Sequence, residues 1–204
     1  MSVAICTPTR DLVYAGYAKS LANLTAKLAS QQTKFEVMIS MGSVIPQLRT
    51  NLVNIALEKN FEWLLWLDSD MHFPDYLFEK LVAHGKDIVA ASYSTRVKPL
   101  RSVAFTNENN YDERLTERRG LHPVFAVGMG CMLTRRTVFE ELPRPWFQHE
   151  WDQQSQSLMG EDIYFCKYAN NNGIEVYVDA DLGKDIGHYG TKVFLLQETL
   201  DQRS

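Results

Sequence analysis

The sequence is short of the features that would place it in a specialised class. Among its 204 residues it has three cysteines, Cys6, Cys131 and Cys166, an odd number set far apart. That excludes a disulfide scaffold and points to packed thiols in a reducing compartment, so a cytoplasmic protein is expected. No cysteine and histidine stand at zinc-site spacing. No apolar run is long enough to cross a bilayer, and no membrane association is expected. The first residues lack the basic start and apolar core of a secretion signal. Positive charge is not in excess: the net charge is -4, which argues against a generally basic nucleic-acid binder. The G-x-x-x-x-G-K-[ST] phosphate loop and the G-x-S-x-G nucleophile turn are both missing. What remains is 45% hydrophobic and 23% charged residues, ordinary usage for one globular domain of this length.

The hydrophobic pattern alternates between two periods. Val3 to Thr7 is a short apolar run that ends in Thr7-Pro8-Thr9, a strand followed by a loop. Tyr17, Leu21, Leu24 and Leu28 recur at helical spacing. Residues 35–41 form the next strand. Pro46 suits the first turn of a second helix with Leu48, Leu52 and Ile55 on one face. Residues 63–67 are continuously apolar, the sign of a strand buried on both sides. Pro74 opens a helix that Gly85 closes, and residues 88–93 form a fourth strand. Residues 96–122 read as a long loop or short hairpin excursion. Beyond them come a glycine-interrupted strand over 124–133, a short helix over 134–142 and an irregular segment over 144–159. A helix from Gly160 to Asn172, a strand over 174–179 and a helix around 193–200 complete the pattern. The alternation predicts an α/β fold, with a mixed, mainly parallel sheet flanked by helices.

Asp68-Ser69-Asp70 directly follows the buried strand. In open α/β sheets, ligands bind beyond the carboxyl ends of strands. Residues two apart in extended chain point the same way, so the two carboxylates converge, and their repulsion calls for a cation. Mg²⁺ or Mn²⁺ suits such oxygen ligands and commonly shares its shell with substrate phosphates. The plainer alternative is a pair of turn residues before the next helix. The spelling does not fit a calcium-binding EF-hand loop, since His72 and Phe73 stand where an acid and a glycine belong. A haloacid-dehalogenase phosphatase places its D-x-D after the first strand.

Gly160-Glu161-Asp162 stands at a helix start, where acids also serve the helix dipole. A carboxylate there is equally a candidate general base. His188 lies between Gly187 and Tyr189-Gly190, and the glycines allow close backbone approach.

In this order the pieces resemble a GT-A glycosyltransferase, close to the family 2-like enzymes and their compact bacteriophage relatives. The resemblance rests on Ile5 to Arg10, Arg49-Thr50-Asn51, Leu65 to Asp70, Gly128 to Arg136, Gly160-Glu161-Asp162 and His188. It implies a single GT-A (Rossmann-like) domain over residues 1–204, with a nucleotide-binding half (1–95) and an acceptor-side half (96–204). It implies that Thr7, Pro8, Thr9 and Arg10 line the nucleotide pocket, with Arg49 and Ser69 beside it. Asp70 would bind the metal, Asp68 would contact ribose or metal, and His188 would complete the metal shell. Gly128 and Gly130 would floor the donor-sugar and acceptor site. Asp162, with Glu161 next to it, would be the base of an inverting reaction. The chain departs from larger family members in its first-strand ending, Thr-Pro-Thr-Arg, and in having its late histidine near the end.

The implied activity is metal-dependent transfer of a sugar from a nucleotide-diphosphate donor, a UDP-sugar, to a hydroxyl. The acceptor is a glycan, a small molecule or a modified DNA base; the arginines of residues 96–119 are a candidate surface for an anionic polymer. The oligomeric state is left open. A nucleotidyltransferase and a catalytically silent nucleotide-sugar binder are the alternatives.

Overall fold

The computed structural model describes residues 1–96, 98–107, 110–153 and 156–190. The first stretch runs β1 (Ser2–Thr9), α1 (Ala15–Ser30), β2 (Lys34–Met41), α2 (Ile45–Glu58), β3 (Trp63–Leu67), β4 (Met71–His72), α3 (Leu77–Ala83) and β5 (Ile88–Ala91). Next come β6 (Ala104–Asn107), β7 (Asn110–Tyr111), β8 (Leu121–Val124), β9 (Ala126–Val127), β10 (Cys131–Arg135) and α4 (Arg136–Glu141). The last described elements are β11 (Glu150–Asp152), β12 (Ser157–Met159), α5 (Glu161–Asn171), β13 (Val176–Asp179) and β14 (Gly187–His188). The helix expected around residues 193–200 lies outside the described residues.

Seven strands make the central sheet, in the order β2-β1-β3-β10-β5-β13-β8. Strand β1 is parallel to β2 and β3, and β5 is parallel to β13. Strand β10 runs antiparallel between β3 and β5, and β8 runs antiparallel to β13 at the edge. The sheet is therefore mixed and mainly parallel, with helices on both faces, as the alternating pattern predicts. The inserted β10 separates β3 from β5, and in such sheets ligands bind beyond the carboxyl ends of the parallel strands.

Because side chains alternate across a strand, each sheet face builds its own core. Ala4, Cys6, Leu64, Trp66, Ala90, Met132 and Val178 face α2, α4 and α5. Val3, Ile5, Leu65, Leu67, Val89, Cys131 and Leu133 face α1 and α3. All of β3 is buried, which is why its sequence is apolar without alternation. Two indole N–H groups of β3 are carried inside: that of Trp66 donates to Thr134 Oγ1 at 3.0 Å, and that of Trp63 has no protein partner. All three cysteines are buried free thiols.

Several expected boundaries move. Residues 124–133 are not one strand. They divide among β8 at the edge of the main sheet, β9 in a separate sheet ordered β7-β6-β9, and β10. The break falls at Gly128 to Gly130, where the backbone passes against the Tyr93 hydroxyl with no room for a Cβ. The inward face of α2 is Leu48, Arg49, Leu52, Val53 and Ala56, and Ile55 turns outward at 39% exposure. An arginine on the inner face is what apolar spacing cannot anticipate. Strand β5 ends at Ala91, before Tyr93. The segment 144–159 contains the β11–β12 hairpin, and residues 96–122 contain the β6–β7 hairpin.

Candidate functional site

A cleft of about 220 Å³ opens at the carboxyl ends of β1 and β3, lined by Pro8, Thr9, Arg10, Ile45, Arg49, Asp68, Ser69, Asp70 and Glu161. Most residues singled out in the sequence for nucleotide binding thus meet in one place. Thr7 does not line it: its side chain is fully buried and hydrogen-bonds the Tyr17 hydroxyl. Thr9 Oγ1 is turned onto the Leu12 carbonyl at 2.6 Å and shapes the loop after β1. The first turn of α2, at Ile45, borders the cleft; Pro46 has no N–H and the Gln47 and Leu48 N–H groups bond to the Val44 carbonyl, so it is the helix dipole that favours negative charge there.

Arg49 organises the floor. Its Nη2 donates to Asp68 Oδ1 at 3.0 Å and its Nε donates to Glu161 Oε1 at 3.0 Å. Its guanidinium is 3% exposed, and Nη1 is buried with no protein hydrogen-bond partner. The Trp66 ring lies 5.7 Å from the guanidinium carbon. Burial opposes the Arg49 charge, but Asp68 and Glu161 outweigh it and hold the guanidinium protonated. Burial pushes the Asp68 carboxyl up, against the pull of Arg49, and the neighbouring carboxylates of Asp70 and Glu161 push it further.

Asp70 belongs to a second group. Its Oδ2 receives Arg96 Nη1 at 2.6 Å, and His188 Nε2 stands 3.4 Å away. Burial raises the Asp70 carboxyl, but the hydrogen bond and charge of His188, with Arg96, hold it below the ordinary range. Burial lowers His188, and the Asp70 and Ser94 contacts overcome this and raise it. The partner of His188 Nδ1 is the Ser94 carbonyl at 2.9 Å. A carbonyl only accepts, so Nδ1 donates and Nε2 is the nitrogen presented to Asp70. Pairing of β14 with β4 brings His188 opposite Met71. The Tyr189 N–H then donates to the Asp70 carbonyl at 2.8 Å, and the Tyr189 ring stacks on Tyr14 at 5.4 Å.

Among the described residues, no group of three or more His, Cys, Asp or Glu side chains is arranged to hold a metal ion. Asp70 and His188 do converge, and Asp68 lies across the same turn with Oδ1 committed to Arg49. A carboxylate oxygen and an unprotonated imidazole nitrogen form a donor pair that suits Mn²⁺ or Mg²⁺, with further positions left for phosphate oxygens and water.

Glu161 and Asp162 open α5 and take different surroundings. Glu161 faces the cleft and Arg49. Asp162 folds back over Gly160, where a Cβ would lie 2.7 Å from Asp162 Oδ1, and that oxygen accepts the Ile163 N–H at 2.8 Å. Burial, reinforced by the Glu161 charge, raises the Asp162 carboxyl to about 6. Gly128 and Gly130 lie outside the lining of the cleft. A Cβ on them would come 2.5 and 2.8 Å from the Tyr93 hydroxyl, and the Gly130 N–H donates to that hydroxyl at 3.1 Å. The Gly130 carbonyl in turn accepts the Asp68 N–H at 3.1 Å, tying β10 to the D-x-D turn.

Two side chains at the centre carry no signal in motif reading. Tyr93 reads as a strand end, yet its ring edge meets His188 with 5.0 Å between centroids. Arg96 reads as part of a basic segment, yet it pairs with Asp70. A tyrosine just past a buried strand, beside the crevice, was the available clue to the first. The second depends on a contact across 26 residues that no local pattern records.

The family model Anp1, of GT-A-like glycosyltransferases, matches residues 15–120. No curated protein sequence matches the chain. Among solved structures, A197 from STIV superposes with a TM-score of 0.60 and 18% identity, over 96% of this chain and 98% of that one. A mutant Drosophila β1,4-galactosyltransferase 7, in complex with manganese, UDP-Gal and xylobiose, superposes with a TM-score of 0.52 and 16% identity. That match covers 97% of this chain and 78% of the galactosyltransferase chain. At such identities the likeness is one of fold, and the fold is GT-A.

Proposed function

Starting from the premise that the chain belongs to the Anp1 family and is a glycosyltransferase, we propose that it moves a sugar from a uridine diphosphate donor to a hydroxyl acceptor with the help of a divalent cation. The nucleotidyltransferase alternative gives way to the family assignment. The observation that carries the proposal is the convergence of Pro8, Thr9, Arg10, Arg49, Asp68, Ser69, Asp70 and Glu161 on one cleft, with His188 at Asp70 on its border. The manganese and UDP-Gal held by the galactosyltransferase of the same fold support the choice of cation and donor.

In this reading Pro8, Thr9 and Arg10 flank the nucleoside, and the first turn of α2 with Arg49 Nη1 faces its negative charge. Asp70 and His188 hold Mn²⁺ or Mg²⁺, and Asp68 contacts the ribose or the cation. A cation held there would offset the charge that develops on the departing diphosphate. Asp162 is the general base of an inverting displacement. As the acceptor oxygen bonds to the sugar carbon and the bond to the diphosphate breaks, Asp162 takes the hydroxyl proton. A carboxyl titrating near 6 is ionised at neutral pH yet more basic than an ordinary aspartate, which suits that role. Glu161, tied to Arg49, fixes the start of α5 and so the position of Asp162. Gly128 and Gly130 make room for the Tyr93 hydroxyl, and residues 96–204 supply the acceptor side. Its acceptor is a glycan, a small molecule or a modified DNA base.

Thermal shift over a panel of nucleotides and nucleotide sugars, with and without Mn²⁺, tests this reading. A ligand at a hundred times its dissociation constant adds about 2.7 kcal/mol. The largest shift is expected for a uridine diphosphate species with Mn²⁺, and Asp70→Ala abolishes it. A shift indifferent to metal, or none for any nucleotide, refutes the reading.

A further inference from the structure

The oxygen that points to a cation site is already in contact with a positive charge. Arg96 Nη1 lies 2.6 Å from Asp70 Oδ2 and also donates to the Tyr189 carbonyl at 3.3 Å. Its aliphatic stem rests on Gly190, where a Cβ would come 3.3 Å from Arg96 Cδ. A guanidinium keeps its charge at all working pH values. A divalent cation on the same oxygen would sit within a few ångströms of it and be repelled. Arg49, the other arginine at the D-x-D turn, reaches it from α2 and is buried and committed to two carboxylates. Arg96 is different: its side chain is 47% exposed.

We propose that Arg96 is an exchangeable counter-charge for Asp70. It neutralises the carboxylate before donor arrives, then turns to the donor diphosphate once a cation takes its place on Asp70. The inference rests on the reading of Asp70 and His188 as cation ligands. Its chemistry is that of an arginine with two anionic partners in turn. The planar guanidinium fork matches phosphate oxygens in pairs, and a diphosphate enters with the very cation that displaces Arg96. Cation alone therefore binds against the arginine, whereas cation and diphosphate together bind with it. The consequence is positive coupling between the two, in both directions.

Isothermal titration of Mn²⁺ and of UDP into the full chain, wild type against Arg96→Met, tests this, with Arg96→Lys as the conservative variant. In Arg96→Met, Mn²⁺ alone is expected to bind about tenfold tighter, and UDP to bind the Mn²⁺-saturated protein about tenfold weaker. Arg96→Lys falls between, since an ammonium keeps the charge and loses the fork. Equal Mn²⁺ affinity in wild type and Arg96→Met overturns the proposal, and unchanged UDP affinity overturns the hand-over to diphosphate. Absence of Mn²⁺ binding in both chains, with and without UDP, overturns the cation reading and this inference with it. A melting curve of each variant without ligand shows that the comparison is between folded proteins.

Discussion

Arg49 on α2 and Glu161 at the start of α5 meet at 3.0 Å across 112 residues of chain. The same guanidinium holds Asp68 at the end of β3. One buried side chain thus joins the helix beside the cleft, the D-x-D turn and the helix that carries Asp162. Removing it leaves two carboxylates facing each other without a cation. Arg49→Met is expected to cost about 3–5 kcal/mol of folding stability. Arg49→Lys keeps the charge, cannot span both carboxylates and loses less. Urea denaturation of the three proteins measures this, and an Arg49→Met chain as stable as wild type would show that the guanidinium is not what holds these elements.

Asp162 gives a pH dependence with a defined sign. Its carboxyl titrates near 6 in the folded protein, above its ordinary value of 3.8. A base must be ionised, so transfer is expected to fall as pH drops through about 6 and to be flat above it. Asp162→Asn is expected to keep donor binding and lose transfer; full activity in this variant removes Asp162 from the base role.

The same shift makes a stability prediction. An ionised Asp162 is disfavoured by its surroundings, so wild type loses stability relative to Asp162→Asn as pH rises from about 3.8 to about 6. By linkage the stability difference between the two proteins shifts by on the order of 2–3 kcal/mol in favour of asparagine across this window and is constant below it. Melting curves of both proteins across this pH range check it.

Gly128→Ala is expected to disturb the D-x-D turn from a distance. The added methyl would meet the Tyr93 hydroxyl at 2.5 Å and Val103 Cγ2 at 3.1 Å. Overpacking of this kind costs about 1–3 kcal/mol. Because Tyr93 also touches His188 and holds Gly130, the variant is expected to weaken Mn²⁺-dependent donor binding along with stability. Paired melting and titration measurements separate the two effects, and an unchanged donor affinity would uncouple Tyr93 from the site.

Thr134→Val probes the core beneath the site. Valine matches threonine in shape but cannot accept the Trp66 indole N–H, which bonds Thr134 Oγ1 inside the sheet. An orphaned buried donor costs about 1–3 kcal/mol. Chemical denaturation reads the loss directly, with nucleotide binding expected to persist in the folded fraction.

The legible parts of this protein are those where local pattern and fold agree. The run from Trp63 to Leu67 is apolar without alternation because both its faces are covered, and it is β3 to the residue. Tyr17, Leu24 and Leu28 fall on the buried face of α1 because helical spacing and burial coincide there. Where the pattern misleads, a polar or backbone requirement has overridden it. Arg49 lies on the inner face of α2 because two carboxylates await it. Strands β9 and β10 are parted at residues 128–130 because the Tyr93 hydroxyl occupies the space that side chains at 128 and 130 would need.

The sequence by itself determined the alternation of strands and helices, the burial of β3 and the placement of Asp68 and Asp70 at its carboxyl end. These follow from residue periodicity and from the reach of a few peptide units. Only the tertiary structure decided that the two carboxylates part company, Asp68 to Arg49 and Asp70 to Arg96 and His188. It also decided that Glu161 lines the cleft while Asp162 folds over Gly160 and titrates near 6. Charge partners and burial are set by elements far apart in the chain, such as α2 with α5 and β4 with β14, and these meet only in the folded protein.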